Sequence, residues 1–111
     1  MSHLDQYTYK LVDRKPVQCA NDDAYWLWYL VEANRRVAKT TIGTVWISTV
    51  FTGLNIIPQE MALFETEVFG GKYDRETWRC RTWEEAEKQH ERIVKMVEDC
   101  NEGHAADLST P

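Results

Sequence analysis

The stretch from Thr44 to Gly71 constrains the fold of this chain most, because it contains two consecutive segments whose side chains alternate with the period of a β-strand. Both faces of the first segment carry bulky apolar groups: Val45, Ile47, Thr49 and Phe51 on one, and Trp46, Ser48, Val50 and Thr52 on the other. Apolar groups on both faces are typical of a strand in the centre of a sheet. We therefore expect this strand to have a neighbour on each side.

The second segment, from Ala62 to Phe69, is predicted to pair with the first as a hairpin. Its two faces would carry Phe64, Thr66 and Val68 on one side, and Leu63, Glu65, Glu67 and Phe69 on the other. Gly70 and Gly71 permit the next turn, because glycine adopts backbone angles that other residues avoid. The segment from Thr77 to Arg81 is predicted as a further strand, with Trp78 and Cys80 on one side and Arg79 and Arg81 on the other.

Helices are predicted before and after these strands. The segment from Asn21 to Lys39 places apolar residues on one helical face, and Asn21 or Asp22 can cap its first turn. Those apolar residues are Trp26, Leu30, Ala33 and Val37. The second helix begins at Thr82, which forms a capping box with Glu85. Its predicted buried stripe is Trp83, Ala86, His90, Ile93 and Val97, and its exposed face would hold the ion pairs Glu84–Lys88 and Glu91–Lys95.

A short alternating segment from Tyr7 to Val12 predicts a first, edge strand, which ends at the turn-like residues from Asp13 to Pro16. The resulting order, β-α-β-β-β-α, indicates the α+β class: an antiparallel sheet of three or four strands with two helices packed on one face. Residues 1–100 are expected to form a single domain, and residues 101–111, which have no period, a flexible C-terminal tail.

Composition and charge argue against several classes of function. A net charge of −5 argues against binding of extended nucleic acid, which needs a concentrated basic face. No apolar run reaches the ~20 residues of a membrane-spanning helix, and the first residues, MSHLDQ, lack the pattern of a signal peptide. The cysteines Cys19, Cys80 and Cys100 have no metal-ligand spacing. We therefore expect a cytoplasmic protein with no metal, no cofactor and no membrane partner.

Four charged residues form the main candidate site. Glu65 and Glu67 lie two apart on one strand, so their carboxylates would point the same way about 7 Å apart. Arg79 and Arg81 lie two apart on a neighbouring strand. Cross-strand ion pairs between the two sets are the expected arrangement. If the residues beside them are buried, the arginines would form a clamp for a small anion. The alternative is a catalytic or metal role for the two carboxylates.

The other candidate ligand-binding residues are Trp78, Ser48, Thr49 and His90. His90 lies on the apolar stripe of the last helix, where a hydrogen-bonded core histidine is expected rather than a catalytic base. The hydroxyls of Ser48 and Thr49 are either ligand-binding groups or ordinary cross-strand neighbours. Trp28 and Tyr25 are predicted to form an exposed aromatic patch.

Three motifs, ISTVFTGL, LFETEVFGG and RTWEEAEKQH, resemble those of a widespread family of small uncharacterised bacteriophage and prophage proteins. The resemblance covers most of the chain. It implies a phage-encoded protein that is dispensable for particle assembly, a group that includes counter-defence and host-takeover proteins. Where the family usually has Asp-His, this chain has Asn55-Ile56, so an acid/base or metal role for that pair does not apply here.

The residues and the resemblance together predict a phage-encoded, non-enzymatic accessory protein in the host cytoplasm. It would counter host defence by sequestering a small anionic, nucleotide-type ligand or by blocking a host defence protein. A homo-oligomer is expected, because a domain of 13.0 kDa usually builds such pockets at subunit interfaces. The alternatives are a small hydrolase or nuclease using Glu65, Glu67 and His90, and a minor phage structural or assembly factor.

Overall fold

The computed structural model describes residues 7–55, 57 and 59–109, with residues 101–109 as backbone only. The chain has the predicted α+β class. Its elements in order are β1 (Tyr9–Val12), β2 (Lys15–Gln18), α1 (Asp23–Leu30), β3 (Arg36–Ile42), β4 (Val45–Phe51), β5 (Phe64–Phe69), β6 (Thr77–Cys80) and α2 (Trp83–Ser109). A single 3₁₀ turn, Glu32–Asn34, links α1 to β3.

The main sheet has four antiparallel strands in the order β3-β4-β5-β6. As predicted, β4 lies between two neighbours, and its inward face is buried at Val45, Ile47, Thr49 and Phe51. The predicted inner face of β5 is confirmed, since Phe64, Thr66 and Val68 are fully buried. The prediction is wrong for Leu63, which precedes the strand and is buried in the core with Phe64 instead of lying on the outer face. The register pairs Phe51 with Phe64 and Trp46 with Phe69. The two faces of this sheet differ, because one is covered and the other is not. The period-two alternation of the sequence therefore separates the side chains of the two faces correctly.

The predicted helix from Asn21 to Lys39 is wrong in its second half, because α1 ends at Leu30 and residues 36–42 form strand β3. Side chains that follow the helix satisfy its last carbonyls: Asn34 Nδ2 donates to the Trp28 carbonyl at 2.8 Å and Arg35 Nε to that of Tyr29 at 2.9 Å. Beyond them the sequence is rich in β-branched residues, which favour a strand. Val37 fits the spacing of a helix and that of a strand, so its spacing alone did not distinguish these two structures.

The buried face of α1 also differs from the prediction. Trp26 and Leu30 are exposed, by 37% and 75%, whereas Tyr25 is fully buried and donates its phenol hydrogen to the Gly53 carbonyl. The helix therefore packs at the end of β4 through the side opposite to the predicted one. Of the two capping alternatives, Asp22 is the N-cap, since its side chain accepts from the Tyr25 N–H at 2.9 Å.

The first strand belongs to a separate two-stranded hairpin, β1-β2, and is not an edge of the main sheet. The turn is tighter than predicted: Asp13 and Arg14 have φ of 51° and 67°, the left-handed backbone of a two-residue hairpin turn, and Pro16 lies in β2. Backbone hydrogen bonds join the hairpin to the loop after β4, from Tyr9 N–H to the Gly53 carbonyl at 3.0 Å and from Asn55 N–H to the Tyr7 carbonyl at 2.8 Å.

Helix α2 packs across all four strands of the main sheet. Its capping box is formed as predicted, with Glu85 N–H donating to Thr82 Oγ1 at 3.1 Å and Thr82 N–H to Glu85 Oε1 at 3.2 Å. The predicted stripe faces inward, with Ala86, His90, Ile93 and Val97 buried and Trp83 half-buried. The helix continues to Ser109, so residues 101–109 are helical where the sequence predicts a tail. The proposed flexibility of that segment stays a prediction, and residues 1–6, 110 and 111 lie outside the described part of the chain.

Two apolar clusters form the core beneath α2. One contains Val45, Ile47, Val68, Ile93 and Val97, and the other contains Phe51, Leu63, Phe64 and Ala86. Buried polar side chains from the same sheet face, Thr49 and Thr66, lie between them along the strands, together with Gln89 and His90 of the helix. Among the described residues, no helix is both long enough and apolar enough to cross a membrane.

Candidate anion-binding groove

An open groove with a volume of about 510 Å³ lies between the edge strand β6 and helix α2. The strand side contributes Arg79, Cys80 and Arg81, and the helix side contributes Glu85, Lys88, Gln89 and Arg92. On an α-helix, residues at i, i+3, i+4 and i+7 share one face, which is the spacing of these four helix residues. The groove therefore follows from a strand end and one helical face that run beside each other.

Cations dominate the lining of this groove. Arg79, Arg81, Lys88 and Arg92 stand against one carboxylate, Glu85. That carboxylate is already engaged in the capping box, and it also accepts from the Arg81 N–H at 3.0 Å. Although the chain has a net charge of −5, positive charge is concentrated in this groove.

Three of these cations form no ion pair with any residue that the structure describes. They are Arg81, Lys88 and Arg92, whereas Arg79 contacts Glu65 at 3.5 Å. The predicted ion pair between Glu84 and Lys88 is not formed, and neither is Glu91–Lys95, within the described residues. The ammonium of Lys88 is therefore available to the groove, as are the guanidinium groups of Arg81 and Arg92.

Cys80 lies in the groove, but its thiol is not activated as a nucleophile. Burial, together with the nearby Glu85 carboxylate, raises the pKa of its thiol to about 11, and Arg92 has a smaller opposite effect. A thiol with such a pKa is protonated at neutral pH, whereas the thiolate is the nucleophile. The groove thus offers cations but no activated cysteine.

Gln89 fixes the relation between the two walls of the groove. Its side-chain nitrogen donates to the Trp78 carbonyl of β6 at 3.0 Å and to Thr66 Oγ1 of β5 at 3.0 Å. Both amide hydrogens are used, and Gln89 is 8% exposed. The helix is therefore held to the edge strand by hydrogen bonds, which fix the relative positions of the two backbones that carry the groove cations.

The same hydrogen bonds continue inward as a polar row across all four strands. Thr66 Oγ1 lies 2.6 Å from Thr49 Oγ1, which lies 2.7 Å from His90 Nδ1, and His90 Nε2 lies 2.8 Å from Thr40 Oγ1. Gln89 donates to Thr66 Oγ1, and an arrangement in which Thr66 donates to Thr49 and Thr49 donates to His90 Nδ1 is compatible with that bond. The remaining Nε2–H then donates to Thr40, whose half-buried hydroxyl is the one nearest solvent. This direction gives every fully buried hydroxyl an acceptor.

His90 is neutral in this arrangement, since its Nδ1 accepts and only Nε2 carries hydrogen. Burial lowers the pKa of His90, and Glu91 opposes this to a smaller extent. Thr49 and His90, both predicted as ligand-binding candidates, are therefore part of the buried row and do not line the groove. The expectation of a hydrogen-bonded core histidine is met.

The outer face of the sheet holds the predicted carboxylate pair. Glu65 lies opposite Arg79 in the register and contacts it at 3.5 Å, as predicted. Glu67 instead contacts Arg75 at 3.2 Å. Arg81, the other arginine predicted to pair with these carboxylates, lies beyond the paired part of β6, because Phe64 already pairs with Cys80 at the strand end. The outer-face carboxylates are thus neutralised by arginine.

Glu65, Glu67 and His90, the residues of the predicted hydrolase, do not lie together at one site. Glu65 and Glu67 lie on the outer face of β5, whereas Thr66 between them contacts the row that holds His90. The sheet therefore separates both carboxylates from the imidazole. Ser48 pairs in register with Glu67 on the outer face, away from the groove. No group of three or more potential metal ligands occurs among the described residues.

Among the residues that the structure describes, no aromatic ring lines the groove. On the outer sheet face Trp46 and Phe69 stack with ring centroids 3.8 Å apart, and cations lie over both rings, Lys39 over Trp46 at 4.7 Å and Arg75 over Phe69 at 5.2 Å. By strand order, Lys39 and Phe69 lie on opposite sides of Trp46. This closed stack leaves no ring face of Trp46 open for a nucleobase.

The predicted exposed patch of Tyr25 and Trp28 is also wrong. Tyr25 is buried, and the half-buried Trp28 packs edge-to-face on Phe51 with centroids 6.2 Å apart. Trp78, another predicted ligand residue, is half-buried against the core, and its carbonyl rather than its ring borders the groove through Gln89. Sequence reasoning found Arg79 and Arg81 but missed Lys88 and Arg92, although their spacing from Glu85 was a usable signal.

Comparison with known proteins does not assign this chain to a family. A scan of family models, a search of curated proteins and a search of solved structures each find no significant match to this chain. The resemblance to phage proteins therefore stays a prediction. At its point of departure, Asn55 is buried and its side-chain nitrogen lies 3.1 Å from Met61 Sδ, while Ile56 is outside the described residues.

Proposed function

We propose that this chain is a non-enzymatic binding protein that holds a small phosphorylated ligand in the groove between β6 and α2. The observation that carries the proposal is the set of three cations, Arg81, Lys88 and Arg92, that face this groove without an ion-pair partner among the described residues. Cations that lack a protein partner in an otherwise acidic chain are suited to an anion from outside.

Guanidinium groups favour phosphate as the ligand group. Arginine presents parallel N–H donors that match two oxygens of a phosphate, and lysine adds a point charge. Arg81 on the strand side and Arg92 on the helix side place such donors on both walls of the groove. Since no aromatic ring in the described part of the chain lines the groove, recognition rests on the phosphates of a nucleotide-type ligand and not on stacking of its base.

The biological role that we propose is based on the resemblance to phage proteins. A phage-encoded accessory protein in the host cytoplasm would use this groove to sequester a nucleotide-type signal of host defence. Blocking of a host defence protein is the other route to the same outcome. The predicted homo-oligomer belongs to the proposal as well.

Calorimetric titration with phosphorylated and unphosphorylated partners tests the groove directly. Nucleoside monophosphates and diphosphates, inorganic diphosphate and the matching nucleosides are titrated into the full chain. We expect binding of the phosphorylated compounds and none of the nucleosides, because the cations recognise only the charged part. Equal binding of nucleosides, or no binding of any compound, contradicts the proposal and directs the search to host proteins by pull-down.

A further inference from the structure

Helix α1 is apolar around most of its circumference, with Asp23 of the first turn as the charged exception beside Trp26, Leu27 and Leu30, but only one side of the helix is packed. Tyr25 is fully buried, and Trp28 and Tyr29 are half-buried. The opposite arc carries four exposed apolar side chains, with the following exposed fractions: Trp26 37%, Leu27 70%, Leu30 75% and Val31 51%. A helix with apolar residues all round is typical of a position covered on both sides. We call these four residues the α1 surface.

The α1 surface is held in place from behind. Tyr25 donates to the Gly53 carbonyl, Arg35 lies over the Tyr29 ring at 4.1 Å, and Trp28 packs on Phe51. These contacts fix both the position of the helix and its rotation about its axis. The four exposed side chains therefore form a preformed surface, which reduces the ordering cost of an association.

We infer that the α1 surface binds a second copy of this chain, with the two α1 helices antiparallel about a two-fold axis. A two-fold contact requires a surface that is complementary to itself. The N-terminal end of α1 carries Asp22 and Asp23. The far end is followed by Arg36, whose side chain is 42% exposed. Antiparallel packing brings the acidic end of each helix to the arginine of the partner.

Arg36 already contacts Glu32 of its own chain at 3.1 Å, on the surface. Because that pair is neutral as a whole, Asp22 and Asp23 of the second copy meet no net negative charge there, whereas parallel packing would place them beside the same two aspartates of the partner. The positive end of each helix dipole also lies beside the negative end of the other in an antiparallel pair. Charge and dipole thus favour the same relative orientation of the two helices.

The area of the α1 surface fits the apolar centre of such a contact. The four side chains expose about 400 Å² of largely apolar surface, which is half of the roughly 800 Å² per partner that a stable interface buries. The polar residues around the helix supply the remaining rim. Because the groove lies on β6 and α2, this contact is independent of the proposed ligand site.

Light scattering and native mass spectrometry over a roughly hundredfold range of concentration test the inference. The wild-type chain is expected to be a dimer, and both Leu27→Glu and Leu30→Glu are expected to be monomers. Val17→Glu is the matched control, since Val17 is 44% exposed on β2, and it should remain dimeric. Circular dichroism must show the same fold in all variants. A monomeric wild-type chain, or a Leu27→Glu variant that stays dimeric, overturns the inference.

A cross-link tests the antiparallel geometry. In a chain with Cys19, Cys80 and Cys100 replaced by serine, Leu27→Cys places a thiol near the middle of α1. The middle of a helix faces itself across a two-fold axis, so mild oxidation should join the two copies through this position. Val17→Cys should give no cross-link above background. Efficient cross-linking at Val17 with none at Leu27 refutes the antiparallel pairing, whether or not the groove binds phosphate.

Discussion

Thr49 Oγ1 lies 2.7 Å from His90 Nδ1, and the hydrogen-bond arrangement that gives every fully buried hydroxyl of the polar row an acceptor keeps this imidazole, the only titratable group of the row, neutral. Burial lowers the pKa of His90 below its value in the unfolded chain. The contribution of the neutral imidazole is therefore complete above the unfolded pKa, about 6.5, and is lost as pH falls toward the folded pKa.

We expect the free energy of unfolding to fall between pH 7 and pH 5, with this group contributing a slope of at most about 1.4 kcal/mol per pH unit. Urea unfolding at several pH values measures it, with His90→Gln as the comparison because glutamine is neutral throughout. The variant should be less stable at pH 7 but show a weaker pH dependence. Parallel curves for the two proteins would show that His90 does not carry the effect.

Thr49→Val removes the central hydroxyl of the row while keeping the side-chain shape. It leaves His90 Nδ1 without a donor and the Thr66 hydroxyl without its acceptor, both buried. We expect a loss of about 1–3 kcal/mol in the free energy of unfolding. Thr41→Val, at an exposed position of β3, is the control and should change stability little. Equal effects of the two substitutions would argue against the row as a stabilising unit.

Gly53→Ala tests the close packing behind α1. A Cβ atom there would lie 2.8 Å from the Tyr25 hydroxyl and 3.1 Å from the Tyr29 ring, and Gly53 has φ of +74°. Gly43→Ala is matched, since Gly43 has φ of +61° but no atom within 4 Å of its Cβ position. Thermal unfolding should show a loss of roughly 1 kcal/mol for Gly43→Ala from backbone strain alone, and a clearly larger loss for Gly53→Ala. A larger loss at Gly43 would contradict the packing described.

Substitutions in the groove should weaken binding of the phosphorylated compounds. Arg81→Ala and Arg92→Ala are each expected to reduce the affinity about tenfold or more, because each removes a charge-assisted hydrogen-bond donor. Lys15→Ala removes the same charge from an exposed position on β2 and is the control. Calorimetry at two salt concentrations should also show weaker binding at higher salt. An unchanged affinity in both arginine variants would exclude this groove.

The Cys80 thiol should react slowly with a thiol reagent at pH 7. Burial raises its pKa to about 11, so the thiolate fraction is small at neutral pH. The rate of labelling of a chain with Cys19 and Cys100 replaced by serine, followed by mass spectrometry, should rise steeply between pH 8 and pH 10. Fast labelling at pH 7 would show that the groove activates this thiol, contrary to the assignment of a passive role.

The strands β4, β5 and β6 and the start of α2 were predictable because each has a strong local signal. Alternation grouped Thr49 and Thr66 with the apolar residues of the strand faces that are buried in the structure, and the capping box placed the helix at Thr82. The end of α1 was not predictable from period, because Val37 fits a helix and a strand equally. What decided it was pairing with β4, a contact between residues distant in sequence.

The candidate groove was predictable only in part for a similar reason. Arg79 and Arg81 stood out through their spacing on one strand. That Lys88 and Arg92 join them depends on how α2 is rotated against the edge strand, which the hydrogen bonds of Gln89 set. The exposed arc of α1 was likewise hidden, because an apolar helix gives no periodic signal that separates its inner from its outer side.

The polar row has a consequence for strand register. Alternating apolar residues distinguish a slip of one residue, which turns every side chain over, but not a slip of two. A two-residue slip of β5 would keep apolar groups inward, yet it would bring Phe64 or Val68 opposite Thr49 in place of Thr66. The Thr49 hydroxyl and the Gln89 amide would then lose a shared partner inside the core. Hydroxyl pairing therefore selects one alignment of the strands among those that the apolar residues alone would permit.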